Sequence, residues 1–394
     1  MKKLAFVTPW FGEKIPGGAE MALRGITQHL FASGINLEIL TTCVKEFSSD
    51  WNENFHKPGE VHINGIPVKR FSVSKRDVKK FDEVNYKLIN HIPITKEEEL
   101  IFIQEMVNSP DLYKYIEQNV NEYELFIYIP YMFGTTYFGV KICPDKSILI
   151  PCFHDESYMY LGIFKELFSK VAGMIFNAKP ECVLANQVYD LSNVNQCTPG
   201  LGLEIDIEYD ENRFRQKYNI QDPFILYAGR KDVGKNVDLL IKYFIQYKKR
   251  KKSNLKLVLL GGGTINIPDT FKSDVLDLGF LPLQDKYDAY SAALCLCQPS
   301  INESFSLVIM ESWLCHRPVI VHNNCEVTKH FVKDSNGGLY FADYWEFEGC
   351  IEYLLNNPAK SKDMGNRGNE YVRNNFDWNI IIMKYKNFFS KIEL

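Results

Sequence analysis

The sequence contains no Cys-x-x-Cys pair, no His-Glu-x-x-His element and no regular Cys/His spacing. Its ten cysteines are scattered over 394 residues, several of them in apolar runs such as "ALCLCQP". Buried reduced thiols are therefore expected, rather than disulfides or a zinc site. No apolar run is long enough to cross a bilayer, since "ELFIYIPYMFGTTYFGV" is interrupted by Glu, Pro, Gly and Thr. The apolar start in "MKKLAFVTPWFG" stops at Pro9, too soon for the core of a secretory signal. Charge of one sign is not in excess either: 45 Lys and Arg face 49 Asp and Glu, for a net charge of -4. That balance argues against bulk nucleic-acid binding. A Gly-x-Gly-x-x-Gly fingerprint is missing, which makes a dinucleotide-binding dehydrogenase a poor reading. These absences leave a globular protein expected in the cytoplasm, compatible with peripheral contact to a membrane.

What is present is an alternation. "LAFVTP", "LEILTT", "LFIYIP", "SILIPC" and "GMIFNA" read as strands, with helical patterns between them. The alternation stops in the polar stretch around 190–222 and then resumes with "FILYAG", "LKLVLLGGG", "VLDLGF", "ALCLCQP" and "PVIVHN". Repeated βαβ units imply parallel sheets covered on both faces. The length suits two domains. We expect an α/β fold with a Rossmann-like domain over 1–200, a second over 201–375 and a closing amphipathic helix over 376–394. Residues 200–220 read as an irregular linker. Residues 76–122 carry charged helical patterns and no clear strand, so they read as a helical insertion in the first domain.

The stretch "QPSINESFSLVIMESWLC" holds Glu303 and Glu311 eight positions apart, around an apolar turn. "ALCLCQP" would end a strand, and a helix would start near Ser306. In an open parallel sheet, ligands bind beyond the carboxyl ends of the strands, beside helix N-termini. Glu303 would then lie in the binding loop and Glu311 on the helix. Amides near Phe305, Ser306 and Leu307 would favour a phosphate. Carboxylates beside an anion site make sense if they bind hydroxyl groups. A ribose at one end of a diphosphate and a hexose at the other would supply them, which points to a nucleotide-sugar. A helix-start carboxylate and a surface helix residue are the plainer readings of the same two glutamates.

The segment "PSINESFSLVIME" resembles the E-x7-E signature of family 4 of the retaining glycosyltransferases, whose fold is GT-B. The resemblance implies two Rossmann-like domains facing across a cleft, with the C-terminal helix crossing back to the first. It implies that Glu303 contacts donor-sugar hydroxyls and Glu311 the nucleotide ribose, with Ser304, Phe305, Ser306 and Leu307 in the same donor site. "YAGRKDVGKNVDLLI" is similar to the family's cationic loop, so Arg230 and Lys235 would neutralise the donor diphosphate. Asn236 stands where glycine is commoner. Gly17 and Gly18, in the loop of "FGEKIPGGAEMAL", match the family's glycine pair and would let the backbone approach a ligand. His154, past the strand end in "LIPCFHDESY", matches a histidine that faces the donor sugar. Gly262 in "LLGGGT" would border the nucleotide. "CHRPVIV" and "NNCEV" depart from the family pattern, which leaves local donor contacts less defined.

No Asp-x-Asp triplet occurs, so no metal and no cofactor is expected beyond the nucleoside-diphosphate sugar. The resemblance implies a hexosyltransferase acting on a glycan or lipid-linked glycan, in bacterial surface polysaccharide or lipopolysaccharide assembly. A sugar-nucleotide-binding scaffold subunit and a GT-B epimerase or phosphorylase are the alternatives. Lys75, Arg76, Lys79, Lys80 and "YKKRKK" at 247–252 could meet anionic headgroups, although such runs more often mark solvated helix ends.

Overall fold

The computed structural model describes residues 2–392. They form two compact units: residues up to Gly202 together with those from Trp378 onward, and Leu203–Asp377.

The first unit holds β1 (Lys3–Thr8), β2 (Leu37–Thr42), β3 (Gly59–Ile63), β4 (Ile66–Phe71), β5 (Tyr123–Tyr128), β6 (Ser147–Leu149), β7 (Gly173–Ile175) and β8 (Asn195–Cys197). They lie in the order β3-β4-β2-β1-β5-β6-β7-β8. β1, β2 and β5 are buried almost throughout, which is why they read as unbroken apolar runs. The sheet is parallel except at one edge, where β3 pairs antiparallel with β4. The turn there is Asn64-Gly65, with φ of 50 and 81. Left-handed geometry at both positions suits a two-residue hairpin, and Asn-Gly supplies it. β2 carries a buried carboxylate, Glu38, 3.1 Å from Lys3 Nζ and 2.9 Å from Lys69 Nζ. Burial alone would raise its pKa, but hydrogen bonds from Tyr123, Lys69 and Lys3 hold it below the usual range.

The expected insertion is three helices, Val78–Ile89, Lys96–Gln104 and Pro110–Asn119. The side chains of Asp77, Thr95 and Ser109 cap them. The last helix, Trp378–Phe389, belongs to the first unit. Its Trp378 ring stacks on His29 at 4.1 Å. A Cβ added to Gly25 or Gly202 would come within 2.4 or 2.1 Å of that ring.

The second unit holds β9 (Phe224–Ala228), β10 (Lys256–Leu260), β11 (Val275–Gly279), β12 (Cys295–Gln298), β13 (Val319–His322) and β14 (Gly338–Phe341). Their order is β11-β10-β9-β12-β13-β14, and every pair is parallel. The chain leaves β9 toward one edge and returns on its other side at β12. The loops after β9 and β12 therefore meet at a topological switch point, where open α/β sheets place ligands.

Residues 200–220 differ from the irregular linker expected. They include a helix, Glu211–Tyr218, capped by Asp210. Only Phe214 of that helix is buried, so its apolar period is faint. It is held instead by charge: Arg213 pairs with Asp288, and Lys217 lies 2.6 Å from Asp285.

Among the described residues all ten cysteines are free, and no three His, Cys, Asp or Glu side chains gather in a group that could hold a metal ion. No helix among them is long and apolar enough to cross a membrane. Several cations of the basic runs have partners. Arg76 lies over Trp51 and Phe81 at 4.7 and 4.4 Å, and Lys80 pairs with Asp77 at 3.4 Å. Lys248 pairs with Asp274, Arg250 with Glu348 and Lys251 with Glu352.

Candidate functional site

The loop after β9 is shaped by close backbone contact with the loop after β10. Gly229 N donates to Leu260 O at 3.0 Å, and Lys231 N donates to Gly262 O at 2.7 Å. Gly261 adopts φ +109, and a Cβ there would sit 2.1 Å from Gly229 O. Only glycine permits both the conformation and the approach. Gly262 itself is covered by the ring of Phe280, 2.5 Å from where its Cβ would be. Lys231 turns inward and is buried, 2.7 Å from Asp277. Arg230 turns outward, 63% exposed, with Nε 3.4 Å from Asp232 Oδ2. Asn236 has φ 57. This left-handed position explains why glycine is the usual residue and why asparagine substitutes for it. Its Nδ2 also donates to Pro299 O at 3.1 Å, tying this loop to the one after β12.

Across the switch point, Lys235 Nζ lies 2.7 Å from Glu303 Oε1, and Gln298 Nε2 donates to the same oxygen at 3.0 Å. Lys235 and Glu303, sixty-eight positions apart, are thus in direct contact. Ser304 and Phe305 lead to Ser306, which has φ 78 and stands at the N-terminus of the helix Leu307–Leu314. Ser306 makes no side-chain cap, and its Oγ is buried without a hydrogen-bond partner, as is Gln298 Oε1. Phe305 packs edge-on against Phe331 and Phe376, which fixes the loop from beneath. Open helix amides and a spare hydroxyl suit a phosphate oxygen.

Glu311 is not a surface helix residue: it is 6% exposed. Lys286 Nζ lies 2.6 Å from its Oε1, and Tyr290 OH donates to its Oε2 at 2.9 Å. Burial pushes the Tyr290 hydroxyl well above its ordinary pKa, with the Glu311 charge adding to the shift, so it stays a donor. Lys286 and Tyr290 stand one turn apart on the helix Leu283–Ala292. Sequence reasoning missed both, as it missed Gln298. The signal available was a Lys-x-x-x-Tyr face on a helix that follows a strand end.

Gly17, Gly18 and His154 belong to the first unit, in the segments after β1 and β6. Gly17 has φ 133 and begins the helix Gly18–Ala32. A Cβ on Gly17 would lie 2.0 Å from Glu20 Oε2, whereas one on Gly18 would meet open space. Trp10 Nε1 holds Glu20 at 2.8 Å, and Arg24 secures the loop through Gly12 O and Ile15 O at 3.2 and 2.7 Å. His154 is half-buried, with Nδ1 3.7 Å from Glu156 Oε1. Behind it lies a residue not foreseen, Glu181. Its buried carboxylate accepts from Phe153 N at 2.7 Å and Asn177 N at 2.6 Å, bridging the loops after β6 and β7. Burial outweighs these bonds and raises its pKa to about 7. A single acid in the first turn of a helix gives no hint of this in the sequence.

Residues 208–371 match the family model described as glycosyl transferases group 1. Among curated proteins, the chain is similar to N-acetylgalactosamine-N,N'-diacetylbacillosaminyl-diphospho-undecaprenol 4-alpha-N-acetylgalactosaminyltransferase of Campylobacter jejuni. The two are 30% identical over 198 residues, covering 46% of this chain and 53% of the relative. It is also 26% identical over 208 residues to D-inositol 3-phosphate glycosyltransferase of Kribbella flavida, covering 48% and 49%. The chain thus spans about half the length of the curated relatives it matches. Sucrose-phosphate synthase from Thermosynechococcus elongatus superimposes over 99% of both chains with a TM-score of 0.71 at 17% identity. Anabaena HepE in complex with UDP and glucose does so over 99% of this chain and 100% of its own, with 0.68 at 16%. At such identities the likeness shows the fold. Residues 208–371 are thus similar to the glycosyl transferases group 1, and the fold of the chain is GT-B.

Proposed function

We propose that the chain is a retaining, metal-independent glycosyltransferase. It moves a hexose from a nucleoside-diphosphate sugar to a glycan or lipid-linked glycan acceptor. The observation that carries this reading is the Lys235–Glu303 contact at the switch point of the second sheet. It joins the cation wanted for a diphosphate to the carboxylate wanted for a sugar. The name of the Campylobacter relative, with its diphospho-undecaprenol acceptor, supports a lipid-linked substrate. We therefore place the protein in the cytoplasm, at the inner face of the membrane, in surface polysaccharide assembly. Fractionation that found the protein outside the cell would remove that placement.

Arg230 and Lys235 neutralise the diphosphate as negative charge develops on it, and Ser306 with the first helix amides takes a phosphate oxygen. Glu303 accepts hydrogen bonds from the sugar hydroxyls and Glu311 from those of the ribose. His154 contacts the transferred sugar. The acceptor hydroxyl forms its bond to the anomeric carbon on the face from which the diphosphate departs. A phosphate oxygen takes the acceptor proton, and the nucleoside diphosphate leaves. No residue of the chain is needed as nucleophile, so the rate rests on positioning and on leaving-group stabilisation.

The test is thermal stability of wild type and Glu311→Ala with UDP, GDP, ADP, dTDP and CMP, with and without EDTA. One nucleoside diphosphate at about 100 times its dissociation constant should add roughly 2.7 kcal/mol to the wild type. The shift should shrink in the variant and ignore EDTA. No shift with any of them, nor with the corresponding nucleotide sugars, would remove the donor site. A shift abolished by EDTA would remove metal independence.

A further inference from the structure

The helical insertion touches the first-unit site at two places. The segment from Phe153 to Ile163 carries His154, and the insertion supplies several of its anchors. Glu99, on the helix Lys96–Gln104, accepts from Gly162 N and Ile163 N, each at 2.9 Å. These amides begin the helix Gly162–Phe168, whose N-cap, Leu161, has no capping side chain. The cap therefore comes from the insertion. Tyr158 OH donates to Asn85 Oδ1 at 2.7 Å, and Ser157 Oγ lies 3.0 Å from His91 Nδ1.

The second contact is aromatic. Tyr158 stacks on Phe102 at 5.3 Å, and Phe102 on Phe81 at 5.4 Å. Phe81 meets Trp51 at 6.0 Å, and Trp51 meets Trp10 at 6.2 Å. Trp10 in turn holds Glu20 beside Gly17. A continuous column of rings thus runs from the Gly17–Gly18 turn to the His154 segment, and its central members belong to the insertion. Interiors this closely packed transmit displacement rather than absorb it.

We infer that the insertion is the positioning element of both first-unit site loops, with Glu99 and Phe102 as its positioning residues. This rests on the roles given above to His154 and the Gly17–Gly18 turn. The insertion acts by fixing where those groups stand, without touching substrate.

Amide hydrogen exchange on the full chain tests this. Glu99→Ala should speed exchange of residues 153–163 about tenfold, as loss of a charge-assisted cap implies. Glu99→Gln, which keeps one acceptor, should lie between. Phe102→Leu keeps an apolar side chain but breaks the stack, and should loosen both 153–163 and 12–18. Tyr158→Phe, which removes one hydroxyl, is the variant that cannot fail to fold for want of packing, and should loosen 153–163 alone. β1, β5 and the second unit should exchange as wild type. If Phe102→Leu leaves residues 12–18 unchanged, or Glu99→Ala leaves 153–163 unchanged, the inference is overturned. Nucleotide release from UDP-, GDP-, ADP- and dTDP-glucose separates it from the role of His154. Glu99→Ala should lower kcat with KM for the donor held. If His154→Ala releases nucleotide at the wild-type rate while the exchange results stand, the assigned role of His154 falls and the positioning remains.

Discussion

Each candidate carboxylate is held by neighbours that decide its usefulness. Glu311 has one oxygen on Lys286 and the other on Tyr290, so it cannot rotate away from whatever approaches it. Tyr290→Phe should leave the fold intact and weaken nucleoside diphosphate binding about tenfold, read by titration calorimetry. The loss should be smaller for a 2′-deoxyribose analogue, because the contact proposed for Glu311 is with ribose hydroxyls. Glu181 makes a different forecast. Its pKa is raised to about 7, above the ordinary carboxylate value of 4.5, because burial disfavours its charge. Between those two values the folded chain holds a proton that the unfolded chain has released. Stability therefore falls as pH rises through that window, by about 3 kcal/mol in all. Denaturant midpoints between pH 4.5 and 7.5 should show the decline, and Glu181→Gln should flatten it.

At the scale of elements, the ends of β9 and β10 depend on glycine. Gly261→Ala puts a Cβ 2.1 Å from a backbone oxygen at φ +109, with no flexible side chain to yield. A loss on the order of 2–4 kcal/mol is expected in urea unfolding, together with a drop in nucleotide affinity as the Arg230 loop shifts. These strands were legible because burial on both faces leaves an unbroken apolar run. β3 was not, because all but one of its residues are exposed and the last is only half-buried. Asn64-Gly65 was the available hairpin signal, and Pro67 beside it argued the other way. Helix Glu211–Tyr218 was hidden for the opposite reason: it is fastened by Asp285 and Asp288, 68 and 75 positions from their partners in sequence. The site divides similarly. Glu303, Glu311, Arg230 and Lys235 sit in patterned segments. Lys286, Gln298, Glu181 and Glu99 matter only through partners that folding brings to them.

At the scale of the whole molecule, the chain leaves its first unit at Gly202 and comes back at Trp378. The returning helix buries Ile381, Ile382, Tyr385, Phe388 and Phe389 in that unit. Each such side chain is worth roughly 1.5–3 kcal/mol. A chain ended at Asp377 should therefore unfold its first unit while residues 203–377 stay folded and keep their response to nucleoside diphosphate. Calorimetry of the truncated chain, with and without nucleotide, checks both halves of that expectation. The same return sets an order of events on the ribosome. The second unit is one uninterrupted run, Leu203–Asp377, and has all its parts as soon as it emerges. The first unit is begun before it but receives its last helix only after those 175 residues have been translated. At typical elongation rates that is a wait of roughly 10–35 s. During it, the face around Gly25 and Gly202 lies bare, so the first unit, though begun before the second, is the one that depends longer on chaperones.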